Sequence, residues 1–299
     1  MTAYHIPALL AQSIDGLSIK PNGDYADVTY GGGGHSASIF KLLGNGKLIG
    51  FDQDADALKN LIDSERFFFA NHNFRYLLNF LKYFGFDKID GIIADLGVSF
   101  HHFDSASRGF SFRFDSPLDM RMNNKSGQTA ASIINSYPHG KLAKVFREYG
   151  DISNAGKLSN QIITSRQITD IKTSNEFINS IKNCIPHKNE NKYLAKVFQA
   201  LRIEVNQEID ALKEFLMQTS LALKPGGRLV VISYHSLEDK LVKNFMKTGT
   251  FGSIIEKDIY GNSNCPFKII SKKVIVPDEN EIEKNKRARS AKLRIAEKI

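Results

Sequence analysis

The chain has 299 residues, of which 42% are hydrophobic and 24% charged, enough for one large α/β domain or two smaller ones of ordinary globular composition. Forty Lys and Arg residues against 32 Asp and Glu leave a formal net charge of +8, which favours an anionic partner. The only cysteines, Cys184 and Cys265, form no disulfide framework and no zinc pattern, and the sequence has no signal-peptide pattern and no run of about 18 apolar residues, so we expect a cytoplasmic protein without a metal or a membrane span.

Four consecutive glycines follow the first predicted strand. Residues 25–29 read as a short strand, the glycines occupy positions 31–34, and residues 36–43 read as a helix. A second strand at 47–51 ends in Asp52, which follows Gly31 by 21 residues. This order is typical of the first half of a doubly wound fold, in which the backbone at the glycines approaches a ligand and the acid binds ribose hydroxyls.

The glycine turn differs from the two common nucleotide-binding loops. A dinucleotide fingerprint starting at Gly31 would need glycine at position 36, where the chain has Ser36, and no Gly-Lys-Ser/Thr follows as in a phosphate loop. A glycine turn with a ribose acid but without a pyrophosphate site suits adenosine that carries no phosphates, and S-adenosylmethionine is the obvious candidate. The alternative is a turn that needs glycine only for its backbone angles.

Three further strands and a long helix complete the predicted sheet. Strands are expected at 66–70, at 89–95 and at 228–233, the last entered through a Pro-Gly-Gly turn, and the continuous apolar run before Asp95 favours a strand buried on both faces. One long amphipathic helix is predicted before that turn from apolar residues spaced three or four apart, namely Val197, Leu201, Val205, Ile209, Leu212 and Leu216.

The spacing of the strands predicts an insertion. Asp95 and Arg228 are 133 positions apart, whereas a strand–helix–strand unit needs only about 30 residues. The intervening segment has helical periodicity and few strand signals. We therefore predict a cofactor-binding domain formed by 1–104 and 201–299, with an inserted helical substrate-recognition subdomain at 105–200. Strands at 267–270 and 290–295 are expected to pair antiparallel at the end of the sheet.

Several longer motifs occur in one order along the chain. They read His5-Ile6-Pro7-Ala8-Leu9-Leu10, Thr29-Tyr30-Gly31-Gly32-Gly33-Gly34-His35-Ser36, Asp95-Leu96-Gly97-Val98-Ser99, Arg108-Gly109-Phe110-Ser111-Phe112-Arg113, Pro117-Leu118-Asp119-Met120-Arg121-Met122, Phe198-Gln199-Ala200-Leu201-Arg202-Ile203, Ser233-Tyr234-His235-Ser236-Leu237-Glu238-Asp239 and Arg287-Ala288-Arg289-Ser290-Ala291-Lys292-Leu293-Arg294. With these motifs the chain resembles the RsmH (MraW) family, the bacterial 16S ribosomal RNA cytosine N(4)-methyltransferases. The resemblance extends from His5 to Arg294.

The resemblance implies a fold, a reaction and a partner. The fold is a Rossmann-like class I S-adenosylmethionine-dependent methyltransferase sheet with an inserted, mostly helical subdomain. The reaction transfers a methyl group from S-adenosyl-L-methionine to the N(4) amine of a decoding-centre cytidine of 16S rRNA (position 1402 in the usual rRNA numbering), within the small ribosomal subunit. The implied cofactor residues are Gly33, Gly34, His35, Asp52, Phe74, Asp95 and His102, where the family usually has Gln in place of His102.

Catalytic and RNA-binding candidates follow from position and charge. Asp95, Ser99 and His235 are candidates to accept a proton-bearing edge of the target amine, although Asp95 could instead hold the methionine amino group and His235 could be a structural histidine. Arg113 and Arg121 lie among aromatic residues that could contact bases, and Arg287 and Arg289 lie in a basic tail that could contact phosphates.

Two other functions are alternatives to an rRNA methyltransferase. A DNA amino-methyltransferase usually has an (Asp/Asn/Ser)-Pro-Pro-aromatic tetrapeptide after the fourth strand, where this chain reads Asp95-Leu96-Gly97-Val98. A non-catalytic ribosome-assembly factor could retain the cofactor fold, but the intact glycine turn with Asp52 and Asp95 argues against it.

Overall fold

The computed structural model describes residues 7–97, 108–125, 127–254 and 264–299. Its chain divides into two compact units: the described residues of Met1–Gly97 and Asp210–Ile299 form the first, and those of Val98–Ile209 form the second. Within these described ranges, no helix is long and apolar enough to cross a membrane.

The first unit contains a mixed sheet of seven described strands in the order β3-β2-β1-β4-β5-β7-β6. The strands are β1 Tyr25–Asp27, β2 Leu48–Phe51, β3 Phe67–Ala70, β4 Ile89–Asp95, β5 Leu223–Ser233, β6 Phe267–Ile269 and β7 Lys292–Lys298. Strands β1 to β5 pair parallel, whereas β7 pairs antiparallel with both β5 and β6. The predicted α/β sheet and its antiparallel end are therefore confirmed.

Helices cover both faces of this sheet, which is why its central strands are apolar. The helices of the first unit are α1 Leu10–Leu17, α2 Gly34–Leu42, α3 Leu77–Tyr83, α9 Glu208–Ala222 from Asp210 onward, α10 Ser236–Thr248 and the short α11 Glu279–Lys284 in the tail. Six of the seven residues of β4 are buried and the seventh, Asp95, is partly exposed. Separate apolar clusters lie around Ile92 and around Ile93, as expected for a parallel strand buried on both faces.

The second unit is mostly helical, as predicted for the insertion. Its helices are α4 Ala130–Ser136, α5 His139–Gly150, α6 Ala155–Arg166, α7 Ser174–Ile181 and α8 Glu190–Asn206. They enclose a core of their own that includes Phe146, Phe177 and Leu201. Helix α7 begins with a capping box formed by Thr173 and Glu176, which was not predicted from the sequence.

The single long helix predicted across Val197–Leu216 is wrong, because the structure has two helices there. Helix α8 ends at Asn206 and α9 spans Glu208–Ala222. Gln207 between them has φ 50° and ψ 39°, in the left-handed region that interrupts an α-helix. The side chain of Asn206 bonds the carbonyls of Arg202 and Met120. The apolar spacing continues through the break, so periodicity alone does not reveal it.

Candidate active site

The carboxyl ends of the parallel strands place the predicted cofactor residues in a spatial order that differs from their order in the chain. From the β3 edge inward, Phe74 follows β3, Asp52 follows β2, the glycine turn follows β1 and Asp95 ends β4. Tyr234 and His235 follow β5, the next strand. Ligands of open α/β sheets bind at this edge, near the point where the strand order reverses, here between β1 and β4.

The glycine turn has the backbone geometry that its sequence predicts. Gly31 and Gly33 have φ values of 51° and 77°, and Gly33 is the N-cap of α2. A Cβ at Gly34 would lie 2.3 Å from Cγ of Pro7, so Pro7 packs directly on the turn. Among the described residues, a Cβ at Gly31 would meet only the carbonyl of Thr29, at 3.9 Å. The turn is therefore crowded on one side at Gly34 and open in front of Gly31.

Asp52 is hydrogen-bonded to the backbone of the glycine turn. Its Oδ2 accepts a hydrogen bond from the Gly31 N–H at 2.8 Å, and its Oδ1 accepts one from the Asp54 N–H at 2.9 Å. The Asn71 side chain donates to the Asp52 carbonyl at 2.9 Å. Each carboxylate oxygen has a second lone pair, so Asp52 can still accept from ribose hydroxyls. Asp54 caps the following 3-10 segment, Ala55–Asn60, as expected from the sequence.

Phe74 lies where a flat apolar wall could contact an adenine ring. It begins a 3-10 turn, Phe74–Tyr76, is partly buried, and packs edge to face on Phe215 with ring centroids 5.3 Å apart. The side chain of Asn73 donates to Gln53 at 3.0 Å, which ties this turn to the Asp52 loop. Both the predicted cofactor role and the alternative role as a core residue agree with this position.

Asp95 is at the centre of a hydrogen-bond network at the strand ends. Its N–H donates to Oγ1 of Thr29 at 2.6 Å, and its Oδ1 accepts from the Tyr234 hydroxyl at 2.8 Å. Its Oδ2 lies 3.9 Å from Nδ1 of His35. Burial raises the pKa of Asp95 to about 6, against the lowering effects of His35 and Tyr234, while Asp27 raises it further. The carboxyl group therefore changes charge close to the physiological range.

Two residues of this network were missed in the sequence. Asp27 ends β1 and is fully buried; it accepts from the Ser36 hydroxyl at 2.7 Å and from the Thr29 N–H at 3.1 Å, and burial raises its pKa. The signal for it was an acid ending β1, as Asp52 and Asp95 end or follow β2 and β4. Tyr234 lies between Ser233 and His235 in one of the family motifs, but nothing in the neighbouring sequence indicates that its hydroxyl contacts Asp95.

His235 has a structural role in this geometry. It is the N-cap of α10, and its Nδ1 accepts from the Glu238 N–H at 3.4 Å, while the Glu238 carboxylate accepts from the His235 N–H. Its Nε2 lies 3.0 Å from Oε1 of Glu238. This capping box favours the structural alternative for His235 over substrate orientation. Glu238 and Asp239 lie in the first turn of α10. Ser99 and His102 lie outside the described residues.

In the second unit, the aromatic and basic motif is largely internal. Phe110 is buried, so the expectation that the aromatic residues of this motif contact bases is wrong for Phe110. Phe112 is partly buried, and its ring packs on Phe198. Alternation of aromatic with charged residues does not say which residues pack inward, and here Leu118, Met120 and Met122 are buried as well. Phe114 is 50% exposed and Arg113 is exposed, so these two residues of the motif remain on the surface, beside the exposed Asp115 and Pro117.

The two predicted arginines of this motif therefore differ. Arg121 forms a two-point ion pair with Asp119, with both nitrogen–oxygen distances at 2.8 Å, and the hydrogen bonds from Arg121 lower the pKa of Asp119. Arg108 donates to the carbonyls of Arg121 and Met122 and so fixes the same loop. The side chain of Arg113 points into none of these contacts, and the Arg113 N–H donates to Ser111 Oγ at 3.2 Å.

The basic tail is likewise divided. Arg287 and Arg289 are exposed in the 3-10 segment Lys286–Ser290. Arg294 forms a two-point ion pair with Asp239, and Lys292 approaches the same carboxylate at 3.7 Å. Cations that the sequence groups together thus separate into a pair that holds β7 to α10 and an exposed group before it.

The arrangement in the first unit fits an adenosine-containing cofactor with a cationic amino-acid end. Asp52 retains acceptor capacity beside the open side of Gly31, and Asp95 offers a carboxylate oxygen two strands away, past the glycine turn. Carboxylates suit ribose hydroxyls and an ammonium group, whereas the turn offers no lysine or arginine for a pyrophosphate. The donor set thus matches the cofactor that the resemblance implies.

Comparisons with known proteins agree with this reading. A relative from Bacteroides thetaiotaomicron, "Ribosomal RNA small subunit methyltransferase H", is 56% identical over 296 residues, covering 99% of this chain and 97% of the relative. A relative of the same name from Flavobacterium johnsoniae is 55% identical over 297 residues, covering 99% of this chain and 98% of the relative.

Solved structures also align along most of the chain. A putative methyltransferase from Streptococcus mutans in complex with SAH is 13% identical with a TM-score of 0.46, covering 99% of this chain and 100% of that one. An rRNA methylase from Streptococcus thermophilus is 12% identical with a TM-score of 0.42, covering 99% of both chains.

The family model settles the predicted resemblance. The model of the MraW methylase family matches residues 2–299, nearly the whole chain. The predicted fold class, a Rossmann-like methyltransferase sheet with an inserted helical subdomain, is confirmed with it. The chain belongs to the MraW methylase family.

Proposed function

We propose that this protein transfers a methyl group from S-adenosyl-L-methionine to the N(4) amine of a decoding-centre cytidine in 16S rRNA, within the small ribosomal subunit in the cytoplasm. The observation that carries the proposal is the order of side chains along the carboxyl edge of the sheet: Phe74, Asp52, the glycine turn and Asp95. Membership of a methylase family and relatives named as small-subunit ribosomal RNA methyltransferases support it.

In this proposal, each residue at the strand ends contacts one part of the cofactor. Phe74 supplies an apolar wall for the adenine, and Asp52 accepts hydrogen bonds from the ribose hydroxyls. The backbone at Gly33, Gly34 and His35 lets the cofactor approach the N-terminus of α2. Asp95 holds the methionine amino group. The resemblance adds His102 as a contact, in the position where the family usually has Gln.

The main task of the protein in this reaction is to align the target amine with the methyl group. When bound, the cofactor supplies an electrophilic methyl group, so the protein provides neither a metal nor a covalent nucleophile. The residues of the site hold the target amine in line with the methyl group, and such positioning can supply about 7–11 kcal/mol of the barrier. Ser99 is the remaining candidate to accept a hydrogen bond from the amine, because Asp95 is given to Tyr234 and the methionine amino group and His235 is engaged by Glu238.

RNA recognition is assigned to the inserted unit and to the tail. The net charge of +8 favours a polyanionic substrate. Within the inserted subdomain, proposed for residues 105–200, the exposed Arg113 and Phe114 supply a cation and a stacking surface, which are the groups that select bases in RNA. Arg121 orders this loop through Asp119. Arg287 and Arg289 contact phosphates and contribute little selectivity.

A methyl-transfer assay on the natural substrate tests the proposal. Small ribosomal subunits from cells lacking this protein are incubated with it and with methyl-labelled S-adenosyl-L-methionine, and the 16S rRNA is then digested and analysed by mass spectrometry. We expect one N(4)-methylated cytidine, and less of it with Asp52→Ala at a cofactor concentration that is just saturating for the wild type. Label in DNA would instead favour a DNA amino-methyltransferase. Tight subunit binding without any transfer would favour an assembly factor.

A further inference from the structure

Tyr234 and Asp95 are joined across neighbouring strands. Tyr234 directly follows β5 and Asp95 ends β4, and Asp95 pairs with Ile232 in the register of these strands. This register brings the Tyr234 hydroxyl 2.8 Å from Oδ1 of Asp95, although 139 positions separate the two residues in the chain. The ring also packs against Gly97, where a Cβ would lie 3.2 Å from Cδ2 of Tyr234.

The position of the tyrosine is itself fixed. The Tyr234 N–H donates to Oε2 of Glu238 at 3.1 Å, as part of the first turn of α10. Burial raises the pKa of the Tyr234 hydroxyl, and Asp95, Glu238 and Glu281 raise it further. The hydroxyl therefore stays protonated near neutral pH and always donates to the carboxylate.

Asp95 is held so that one oxygen is committed and the other remains an acceptor. The backbone N–H is held by Thr29 and Oδ1 is held by Tyr234. The nearest cationic candidate to Oδ2 among the described residues is His35, whose Nδ1 is 3.9 Å away, beyond hydrogen-bonding distance. Burial lowers the pKa of His35, so the imidazole is uncharged at neutral pH and adds no full positive charge beside Asp95.

We propose that Tyr234 is a positioning residue that keeps the Asp95 carboxylate ionised and oriented for the cationic amino group of the cofactor. This inference rests on the proposed function, because it takes S-adenosyl-L-methionine as the ligand. The charged and titratable groups that face Asp95 from the described elements are His35, Asp27, Glu238 and Tyr234. Of these, His35 and Tyr234 lower the pKa of Asp95, and Tyr234 is the one that donates a hydrogen bond to the carboxylate, whereas Asp27 and Glu238 raise it.

The test measures affinity for S-adenosylhomocysteine by calorimetry from pH 5 to pH 8.5 in Tyr234→Phe and in wild type. Loss of the hydroxyl moves the pKa of Asp95 upward from about 6. An upward shift of one unit weakens binding up to about tenfold below pH 6, and the deficit disappears above pH 8, where both carboxylates are ionised. A deficit of the same size at every pH would overturn the inference, because a merely structural role does not depend on protonation.

Two further variants make the result specific. Tyr25→Phe also removes a buried tyrosine hydroxyl, which accepts a hydrogen bond from the Lys20 N–H at 2.7 Å. Tyr25 begins β1, so this hydroxyl belongs to the amino end of the parallel strands and not to the carboxyl end where Asp95 lies. We expect Tyr25→Phe to leave the pH profile of binding unchanged. Asp95→Asn removes the pH dependence, and adding Tyr234→Phe to it weakens binding less than twofold further. An equal fold-loss in both backgrounds contradicts the inference. A wild type that fails to bind S-adenosylhomocysteine at any pH contradicts the proposed function instead.

Discussion

The carboxylate of Asp52 accepts a 2.8 Å hydrogen bond from the backbone N–H of Gly31, so the end of β2 and the glycine turn after β1 form one hydrogen-bonded unit. An acid in this position can bind a ribose and can also fix the backbone that the ribose approaches. Substitutions at Asp52 therefore have two separable consequences, one for the cofactor and one for the turn.

We expect Asp52→Ala to weaken S-adenosyl-L-methionine binding by about 1.5–3 kcal/mol, because hydrogen bonds to a charged group are lost. It should also lower the thermal stability of the apoprotein, since the N–H groups of Gly31 and Asp54 lose their acceptor. Asp52→Asn keeps one acceptor oxygen and should retain more of both properties. Calorimetry and thermal melts measure the two effects, and unchanged affinity in Asp52→Ala would contradict the ribose assignment.

The glycine turn allows a matched pair of substitutions. Gly31 and Gly85 both have left-handed backbones, with φ values of 51° and 74°, and a Cβ would have no close contact at either position. Alanine in this conformation costs roughly 1–2 kcal/mol, so Gly31→Ala and Gly85→Ala should lower the free energy of unfolding equally. Only Gly31→Ala should weaken cofactor binding, since Gly85 lies at the end of α3. Equal affinities in the two variants would show that the open side of Gly31 is not the cofactor side.

The sequence predicts the strands of the sheet better than it predicts the pairs that form the site. Strand β4 was predicted with its correct bounds, because a continuous apolar run ending in an acid leaves few alternatives. Asp52 and Asp95 were predictable for a similar reason: the ends of parallel strands meet at one edge. The Tyr234–Asp95 contact was not, because it depends on the register between β4 and β5.

In the helical unit, sequence patterns predict the helices but not which residues face solvent. The spacing of its core residues predicts helices correctly, but of the aromatic residues expected to contact bases, Phe110 is buried and Phe112 is partly buried. Arg121 was assigned to RNA and is held by Asp119, only two positions before it. Composition indicates that a segment has aromatic and basic residues, whereas packing decides which of them face solvent.

The pKa of Asp95 predicts a stability change with pH. Burial raises the pKa of the folded carboxyl to about 6, above its ordinary value of 3.8, so its contribution to stability is present in acid and is lost as the pH rises through about 6. Above that pH, the folded protein carries the free-energy cost of a buried, ionised Asp95. Asp95→Asn removes this cost and should make the apoprotein about 1–3 kcal/mol more stable at pH 8, since each pKa unit corresponds to about 1.4 kcal/mol. At pH 4 the two proteins should be nearly equal. Urea denaturation at both pH values measures the difference, and an apoprotein destabilised at pH 8 would contradict the assignment.

The exposed Arg113 and the ion-paired Arg121 predict different kinds of defect. Arg113→Ala should lower single-turnover methylation at saturating RNA while cofactor affinity and thermal stability hold, because an exposed cation beside Phe114 is lost. Arg121→Ala leaves Asp119 without its partner and should lower the thermal stability of the loop and of the helical unit. If Arg113→Ala lost only RNA affinity, with single-turnover methylation unchanged at saturating RNA, its role in aligning the cytidine would be ruled out.

The basic tail allows a test of phosphate binding by salt dependence. Arg287 and Arg289 are exposed in the segment before β7, whereas Arg294 is held by Asp239 and serves the fold. Each phosphate contact on single-stranded RNA releases counterions and adds roughly 0.7 to the slope of log affinity against log salt concentration. Arg287→Ala with Arg289→Ala should therefore flatten the slope by about 1.4 if both contact phosphates. The same variant should keep its cofactor affinity and its preference for the target cytidine, because phosphate contacts carry no sequence information. Arg294→Ala is the control for the loss of an arginine from the same motif, although it removes one charge rather than two: it should lower thermal stability by breaking the pair with Asp239 and should leave the salt slope at its wild-type value. A wild-type slope in the double variant, or a slope flattened equally by Arg294→Ala, would mean that the tail does not bind RNA through Arg287 and Arg289.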